Sequence, residues 1–405
     1  MIFRKSHDGV SLRALPLVLA LVLLGGPLAA KSPKIRTVRP LAAVPGKTTE
    51  LVITGEGLET ATGLWTSFGS KSSIVAEKKR DGKSLRIKLS ISAETPVGIG
   101  AIRVAGPGGL SNLELFLIDD LAVRTVSEGN TSASTAISLE PPCAIDSQAK
   151  AEHRNFYSFK ARAGQSLSFE VMSQRIGSAL DPILRILDAD GRELAFSDDA
   201  AGADSRLAWR SEKDGEYLIE LRDITYRGGE SFSYRLRVGD FPLVSAPYPM
   251  RAEQAKKTKV TIAGESSAGV EPREVQLPGD SHGRAFSLAT RRPGGKSSSF
   301  VTLLSSDLPE LLENEPNNQA KSASRIRHPC AINGRFSSKG DRDYYSIEGQ
   351  KGERLLIRGE TRLSGSPTDL FLRLEKPGGE KIAEAEDQSY DPGKDKQKGK
   401  NYYFD

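Results

Sequence analysis

The stretch "PPCAIDSQAKAEHRNFYSFKARAGQ" (141–165) returns, loosened, as "HPCAINGRFSSKGDRDYYSIEGQKGE" (328–353). Cys143 and Cys330 stand 187 residues apart (330 − 143), and that shift also carries Pro142 onto Pro329, Ala144 onto Ala331, Ile145 onto Ile332 and Glu128 onto Glu315. After one inserted residue the shift becomes 188. It then lays Phe156-Tyr157-Ser158 on Tyr344-Tyr345-Ser346, Gly164 on Gly352, and Leu167 and Phe169 on Leu355 and Ile357. Further along it lays Asp181, Leu184, Ile186, Gly191 and Asp199 on Asp369, Leu372, Leu374, Gly379 and Asp387. A register held this long with one gap marks a duplicated domain.

The repeated segment reads as strands. "QSLSFEVMS" (165–173), "GEYLIELRD" (215–223) and "SFSYRLRVGD" (231–240) alternate apolar and polar residues, a period of two that predicts one buried face and one wet face. Between them, "DPILRILDADGRELAFSDD" (181–199) reads as strand, Asp-Gly turn, strand. With 39 Gly and 22 Pro, turns and short elements are favoured over long helices. Many short strands point to β-sandwiches.

Each copy follows another strand-rich stretch. "GKTTELVITGEGLETATGLWTSF" (46–68) and "KKTKVTIAGES" (256–266) share a Thr-rich strand ending in Gly55 and Gly264, and Asp120-Leu121 falls on Asp307-Leu308 at the same shift of 187. The expected fold is therefore all-β, with tandem β-sandwiches: an Ig-like unit over 35–120, a larger sandwich over 122–240, a short Ig-like or linker module over 241–308, and a second larger sandwich over 311–405. The last copy is expected to be incomplete. "KNYYFD" (400–405) matches "GEYLIE" (215–220), which leaves no counterpart of "SFSYRLRVGD" and an open sheet edge.

The first thirty residues have the form of an export signal. Arg4, Lys5 and Arg13 precede the apolar run "ALPLVLALVLL" (14–24) and the small residues of "GGPLAA" (25–30), with cleavage expected after Ala30. The run is too short to span a bilayer, and no later stretch is long enough. A periplasmic, cell-surface or extracellular location follows as the expectation. The 57 basic and 52 acidic residues are interspersed, as on a solvated surface, and no basic stripe or groove-reading motif suggests nucleic acid. Basic residues cluster in "KDKQKGK" (394–400), read as a solvated loop. Two cysteines at equivalent places in two copies are not a disulfide framework; each reads as a small buried apolar residue.

The run "DPILRILDADGRELAFSDD…DSRLAW…DGEYLIELRD…FSYRLRV", together with "NEPNNQAKSASRI…CAINGRFSSKGDRDYYSI", resembles the bacterial pre-peptidase C-terminal (PPC) domain over about 122–240 and 311–405. The stretch 35–120, through "ITGEGL" and "GPGGLSN", is similar to IPT/TIG-type Ig-like domains. The PPC resemblance implies a non-catalytic, jelly-roll-like sandwich found beside secreted peptidases or in large exported bacterial proteins. Some relatives bind collagen or polysaccharide, and some bind calcium near the N-terminal linker.

No catalytic constellation is legible. His7, His153, His282 and His328 fall in no His-Glu-x-x-His spacing, and no phosphate loop occurs. The sharpest chemical signal is "ENEPNN" (313–318) with "GDRDYY" (340–345). Calcium takes six to eight hard oxygen ligands. Glu313, Glu315 and Asn317 offer them at alternate positions, and Asp341 and Asp343 join if the linker folds back. The competing reading is a solvated linker, with Asp341 ending a turn. In the first copy Val126 replaces Glu313, and His153 and Asn155 replace Asp341 and Asp343, so at most one strong calcium site per chain is expected. A second acidic group, Asp198, Asp199 and Asp204, reads as turn capping. The function expected is that of an exported, non-catalytic binding or scaffold protein that contacts extracellular protein or polysaccharide. The alternative is a substrate-targeting accessory part of a secreted peptidase.

Overall fold

The computed structural model describes residues 2–5, 31–77, 81–124, 129–202, 204–281, 283–386 and 403–404. Apart from Ile2–Lys5, the export segment lies outside the described residues, as does the basic run 394–400. The fold is all-β: the described residues form strands and five short 3₁₀ turns, with no α-helix. Among the described residues no helix is long and apolar enough to cross a membrane.

Two four-stranded paths build the first sandwich. One orders Lys34–Arg39, Thr48–Glu56, Ser84–Ile91 and Ser70–Ile74; the other orders Ala42–Ala43, Glu114–Ile118, Gly98–Gly106 and Gly63–Thr66. Alternate residues of both sheets, among them Leu51, Ile53, Ile87, Leu89, Ile102, Val104 and Phe116, meet in one core. The third unit is smaller, with three strands in each sheet and Val260, Leu303 and Leu277 between them.

The second unit is the larger sandwich. One sheet runs Val123–Arg124, Cys143–Gln148, Ser233–Gly239, Ser166–Met172 and Arg206–Arg210. The other runs Ile137–Leu139, Asn155–Ala161, Gly215–Asp223, Pro182–Leu187 and Glu193–Ser197. Its core holds Cys143, Ile145, Tyr157, Phe159, Phe169, Leu184, Ile219 and Val238. The Trp209 and Tyr217 rings lie edge to face with centroids 4.7 Å apart, a favoured aromatic geometry. The alternating stretches predicted as strands are strands.

The predicted wet face is not wet everywhere. Along Ser233–Gly239 every residue after Ser233 is buried, and so is every residue after Ser166 in Ser166–Met172. The polar side of this sheet is covered by the neighbouring units. Arg235 and Arg237 sit there, fully buried, on carboxylates instead of water.

The second copy reproduces part of this plan. Cys330–Asn333 and Leu355–Gly359 take the places of Cys143–Gln148 and Ser166–Met172, and Ile326, Cys330 and Ile332 pack with Tyr345, Ile347 and Ile357 in a separate, smaller core. Its other sheet is split into two pairs, Ser324–Ile326 with Tyr345–Ile347 and Leu372–Glu375 with Lys381–Ala385. Among the described residues no strand stands between those pairs, where Gly215–Asp223 stands in the first copy. The matching of 400–405 to 215–220 is corrected here: Tyr403–Phe404 pairs in parallel with Leu355–Gly359, in the opposite sheet. A short aromatic run suits any half-buried edge, so its pattern does not choose the sheet.

Both cysteines are free and buried, each in its own core. Burial pushes the Cys143 thiol up to about 11, so it stays protonated and behaves as an apolar filler.

Candidate metal centre

The acidic linker of the second copy folds back onto the sandwich. The Glu313 amide donates to the Asn333 carbonyl (3.0 Å), and the Tyr344 amide donates to the Asn317 carbonyl (2.9 Å). The latter bond has a twin in the first copy, Phe156 amide to Asn130 carbonyl at 2.7 Å, so the duplicated backbone fixes the linker before any side chain acts. Glu315 then accepts the Asn317 amide through Oε2 (2.9 Å).

Three carboxylates converge. One oxygen each of Glu313, Glu315 and Asp343 lies within 4.8 Å of the others. Glu313 Oε1 accepts from Asn317 Nδ2 (3.1 Å) and from the Tyr345 hydroxyl (3.0 Å), and its Oε2 accepts the Arg335 amide (2.8 Å). Asn317 is 0% exposed. Asn317 Oδ1 and Asp343 Oδ1 are buried atoms with no hydrogen-bond partner. A buried acceptor without a donor is costly; here one belongs to Asn317 and the other to Asp343, itself one of the three carboxylates, so the pocket is rich in oxygen acceptors. Burial first, and then the Glu313 charge, push Asp343 up to about 7. The same two causes, in that order, push the Tyr345 hydroxyl above its ordinary range. Hard oxygens of this kind suit a calcium ion.

Of the five residues expected at this site, the fold brings together Glu313, Glu315, Asn317 and Asp343. Asp341 is the correction. Its Oδ2 accepts the Ser337 amide (2.7 Å) and hydroxyl (2.9 Å), and its Oδ1 accepts the Arg342 amide (3.0 Å). It closes a surface turn, and those hydrogen bonds, the Ser337 amide first, hold its carboxyl low. Tyr345 is the member that sequence reading missed; its place two residues after Asp343, at the start of a strand, was the available signal.

The first copy shows what the site is without charge. Asn155 Nδ2 donates to Asn130 Oδ1 (3.4 Å) and Asn130 Nδ2 to the Phe156 carbonyl (3.1 Å). Tyr157, the counterpart of Tyr345, shares a 2.6 Å hydrogen bond with Tyr234. Glu128 and Val126 lie outside the described residues.

The other acidic group is also rearranged. Asp204 is buried and caps the turn Gln174–Ile176, accepting from the Gln174 amide (2.8 Å), the Ser173 hydroxyl (2.5 Å) and Arg175 Nε (2.8 Å). Asp198 and Asp199 meet Asp181 instead, brought alongside by strand pairing of Leu184 with Ser197. Burial, and then neighbouring aspartates, push both Asp181 and Asp198 up.

This architecture defines the class: an all-β chain of tandem sandwiches with an acidic, oxygen-lined pocket at the entrance to the last one. No family model matches the chain. Over 68 residues it is 38% identical to a probable subtilase-type serine protease of Deinococcus radiodurans, a span of 16% of this chain and 9% of that protein. Among solved structures it is similar to the pre-peptidase C-terminal domain of a collagenase from Bacillus anthracis (14% identity, 25% of this chain and 93% of that one, TM-score 0.22). It is also similar to the Bacteroides ovatus protein SGBP-B of a mixed-linkage glucan utilization locus (9% identity, 51% and 75%, TM-score 0.20).

Proposed function

We propose that the chain is an exported, non-catalytic binding and scaffold protein. Its larger sandwiches are PPC-like, and calcium fixes the entrance to the second of them. The observation that carries the calcium reading is the pair of partnerless buried oxygens, Asn317 Oδ1 and Asp343 Oδ1, beside Glu313 and Glu315. A bound cation would satisfy both and relieve the repulsion that raises Asp343. Bound there, calcium supplies structure: it pins the linker to the sandwich.

The scaffold reading is supported by the way the first three units lock together. Asp119, from the first sandwich, takes hydrogen bonds from Arg235 Nε (2.7 Å) and Arg237 Nη2 (3.1 Å) of the second, and Arg237 also donates to the Ser298 carbonyl of the third. Fixed neighbours present several surfaces at once, and contacts beyond the first become intramolecular. Extracellular protein or polysaccharide is the proposed ligand class. The 68-residue likeness to a subtilase-type protease favours a second reading, an accessory part of a secreted peptidase.

Calorimetric titration of the full chain with calcium tests the site. One binding event per chain is expected, at about 0.1–1 mM as in extracellular modules. It should be lost in Glu313→Gln and kept in Asp198→Asn. Absence of heat at millimolar calcium removes the site. Retention on insoluble polysaccharides and immobilised extracellular proteins, with calcium and with chelator, tests the binding function; no retention on any matrix leaves only a spacer.

A further inference from the structure

The third unit is a shortened version of the first. Between Thr48–Glu56 and Ser84–Ile91 the first sandwich carries Gly63–Thr66 and Ser70–Ile74, which close one edge of each of its sheets. In the third unit Lys257–Ala263 and Arg273–Gln276 are joined by residues 264–272, which form turns and no strand. Its two sheets therefore end on Arg273–Gln276 and on Ala285–Thr290, edges that lie between complete units of the chain. The core is closed without the two strands. The shift of 187 carries Phe116 onto Leu303. Gly100 is opposite Phe116 and Phe286 is opposite Leu303, so Phe286 stands where Gly100 stands. A Cβ on Gly100 would run into the Phe68 ring, which comes from the connection after Gly63–Thr66. The third unit supplies that ring itself, as Phe286 packed on its small core.

The hydrogen bonds fix which groups face the open edge. The Ser305 amide donates to the Arg284 carbonyl (2.9 Å), and the Leu304 amide turns the other way, to the Met250 carbonyl (3.2 Å). Bonded residues alternate in an antiparallel pair. Phe286, Leu288 and Thr290 therefore bond to Ser299–Ser306, while Ala285, Ser287 and Ala289 aim their amides and carbonyls outward. Arg273 Nη1 donates to the Ala289 carbonyl from the neighbouring edge. Edge strands are normally blunted by charge, proline or a bulge. Arg273–Gln276 carries Arg273 and Glu274, but Ala285–Thr290, "AFSLAT", has no charge and no proline, and its register is unbroken. Around it stand Arg273, Arg284 and Arg292. Arg284 lies over the Phe286 ring at 5.9 Å and Arg292 Nη2 donates to the Ser266 carbonyl (3.4 Å). Among the described residues none of the three has a carboxylate partner.

We propose that Ala285–Thr290 is a docking edge for an extended, acidic peptide segment of another protein. Such a segment adds a strand to the sheet. Its main chain pairs with the outward amides of Ala285, Ser287 and Ala289, and its carboxylates meet Arg284 and Arg292 at the two ends of the edge. A second copy of this chain is the wrong partner on charge. Pairing two such edges about a twofold axis at Ser287 brings Arg284 of each copy beside Arg291 and Arg292 of the other, and like charges held together across strands are destabilising. The proposal rests on the binding reading above and narrows it to a protein partner at one site. It owes nothing to calcium, because the edge and the acidic pocket share no residue.

Amide hydrogen exchange on the full chain tests this, with a synthetic peptide of alternating Val and Thr that carries Glu at both ends. Saturating peptide is expected to slow exchange at Ala285, Ser287 and Ala289 about tenfold and to leave Arg273–Gln276 unchanged. The same peptide with Lys at both ends should bind about three- to tenfold more weakly, and Arg284→Glu with Arg292→Glu should reverse that preference. Ala289→Pro removes an outward amide at an edge, where proline is tolerated, and should abolish binding with the melting temperature kept. If Ala289→Pro unfolds the unit, the peptide N-methylated along its pairing side must lose the protection instead. No slowing at the three amides overturns the edge, as does equal binding of the N-methylated peptide. Equal binding of the Glu-ended and Lys-ended peptides overturns the acidic partner. A concentration-dependent dimer that Ala289→Pro dissolves overturns the foreign peptide and makes a second copy the occupant. Retention of the chain on a protein matrix that Ala289→Pro leaves intact overturns this site alone and leaves the binding function standing.

Discussion

Asp223 ends the strand Gly215–Asp223 and gathers the turn beyond it. Its Oδ1 accepts from the Thr225 amide (3.0 Å), the Thr225 hydroxyl (2.8 Å) and the Arg227 amide (3.0 Å), and its Oδ2 accepts from the Asp181 amide (3.2 Å). Burial alone would raise this carboxyl. The bonds from Arg227, Thr225 and Asp181 outweigh burial and bring it to about 2. A free aspartate titrates near about 3.9. A folded value below the unfolded one means that the stabilisation is whole above about pH 4 and is lost as pH falls towards 2. The wild-type melting temperature should therefore drop across that interval. Asp223→Asn should melt earlier at pH 7, by the about 1.5–3 kcal/mol typical of hydrogen bonds to a charged group, with a flatter dependence between pH 4 and 2; a parallel pH profile would show that another carboxylate governs the acid transition. Residues of this kind are half legible. The Glu313, Glu315 and Asn317 spacing could be read because an extended linker puts alternate residues on one side. Asp341 could not be placed, because whether it faces the pocket or closes a turn depends on the hydroxyl and amide of Ser337.

Among the strands, Gly55 and Gly264 show why the two smaller sandwiches share a glycine at the end of a Thr-rich strand. A Cβ on Gly264 would lie 2.4 Å from the Leu243 carbonyl oxygen and 2.5 Å from Val244 Cα; one on Gly55 would lie 1.9 Å from the Lys34 carbonyl oxygen. In both, backbone at or just before the first strand of the unit crosses against the glycine with no room for a methyl group. The clash is with backbone, which cannot rotate away, so overpacking of about 1–3 kcal/mol is expected for Gly264→Ala. Gly269, which meets nothing within 4 Å but has a φ of +79°, offers a contrast: Gly269→Ala acts through backbone strain alone and should cost less, about 1 kcal/mol. Equal losses in chemical denaturation would refute the close-approach argument. Strands were the most legible elements here, since a period of two repeated in two copies is hard to produce otherwise. The strand at the closing position of the second copy was not legible. Residues 2–5 carry a charged leader pattern, yet Ile2–Lys5 pairs with Cys330–Asn333 and Leu355–Gly359.

The whole molecule depends on a set of charges that sequence patterning misassigned to solvent. "SYRLRVG" alternates like a half-wet strand, yet Arg235 reaches Asp119 across 116 residues and Arg237 reaches it across 118. Arg235 Nη1 also meets Asp146 Oδ1 (2.7 Å), whose other oxygen accepts the Leu41 amide (2.7 Å) of the first sandwich. Arg237 Nη1 meets Glu170 Oε2 (2.5 Å), which Arg175 holds in turn through Oε1 (3.0 Å). Burial alone would push Asp119 up, but the guanidiniums of Arg237 and Arg235 overcome it and keep the carboxylate ionised. Two cations and three anions taken out of water cost a great deal individually, and the network stands because each charge has close partners. Removing the shared anion should therefore be severe. Asp119→Ala takes their shared anion from both guanidiniums in a dry interface and leaves them only Asp146 and Glu170, an expected loss of about 3–5 kcal/mol, and it should loosen the first sandwich from the second, visible as an increased radius of gyration in solution scattering. Breaking the exposed pair Arg36 with Glu56, each 58% accessible, by Arg36→Ala should leave the melting temperature almost unchanged. If Asp119→Ala melts and scatters like Arg36→Ala, the units are held by apolar contacts such as Leu121, Ala144, Phe241 and Leu243, and the charges only follow an orientation set by packing.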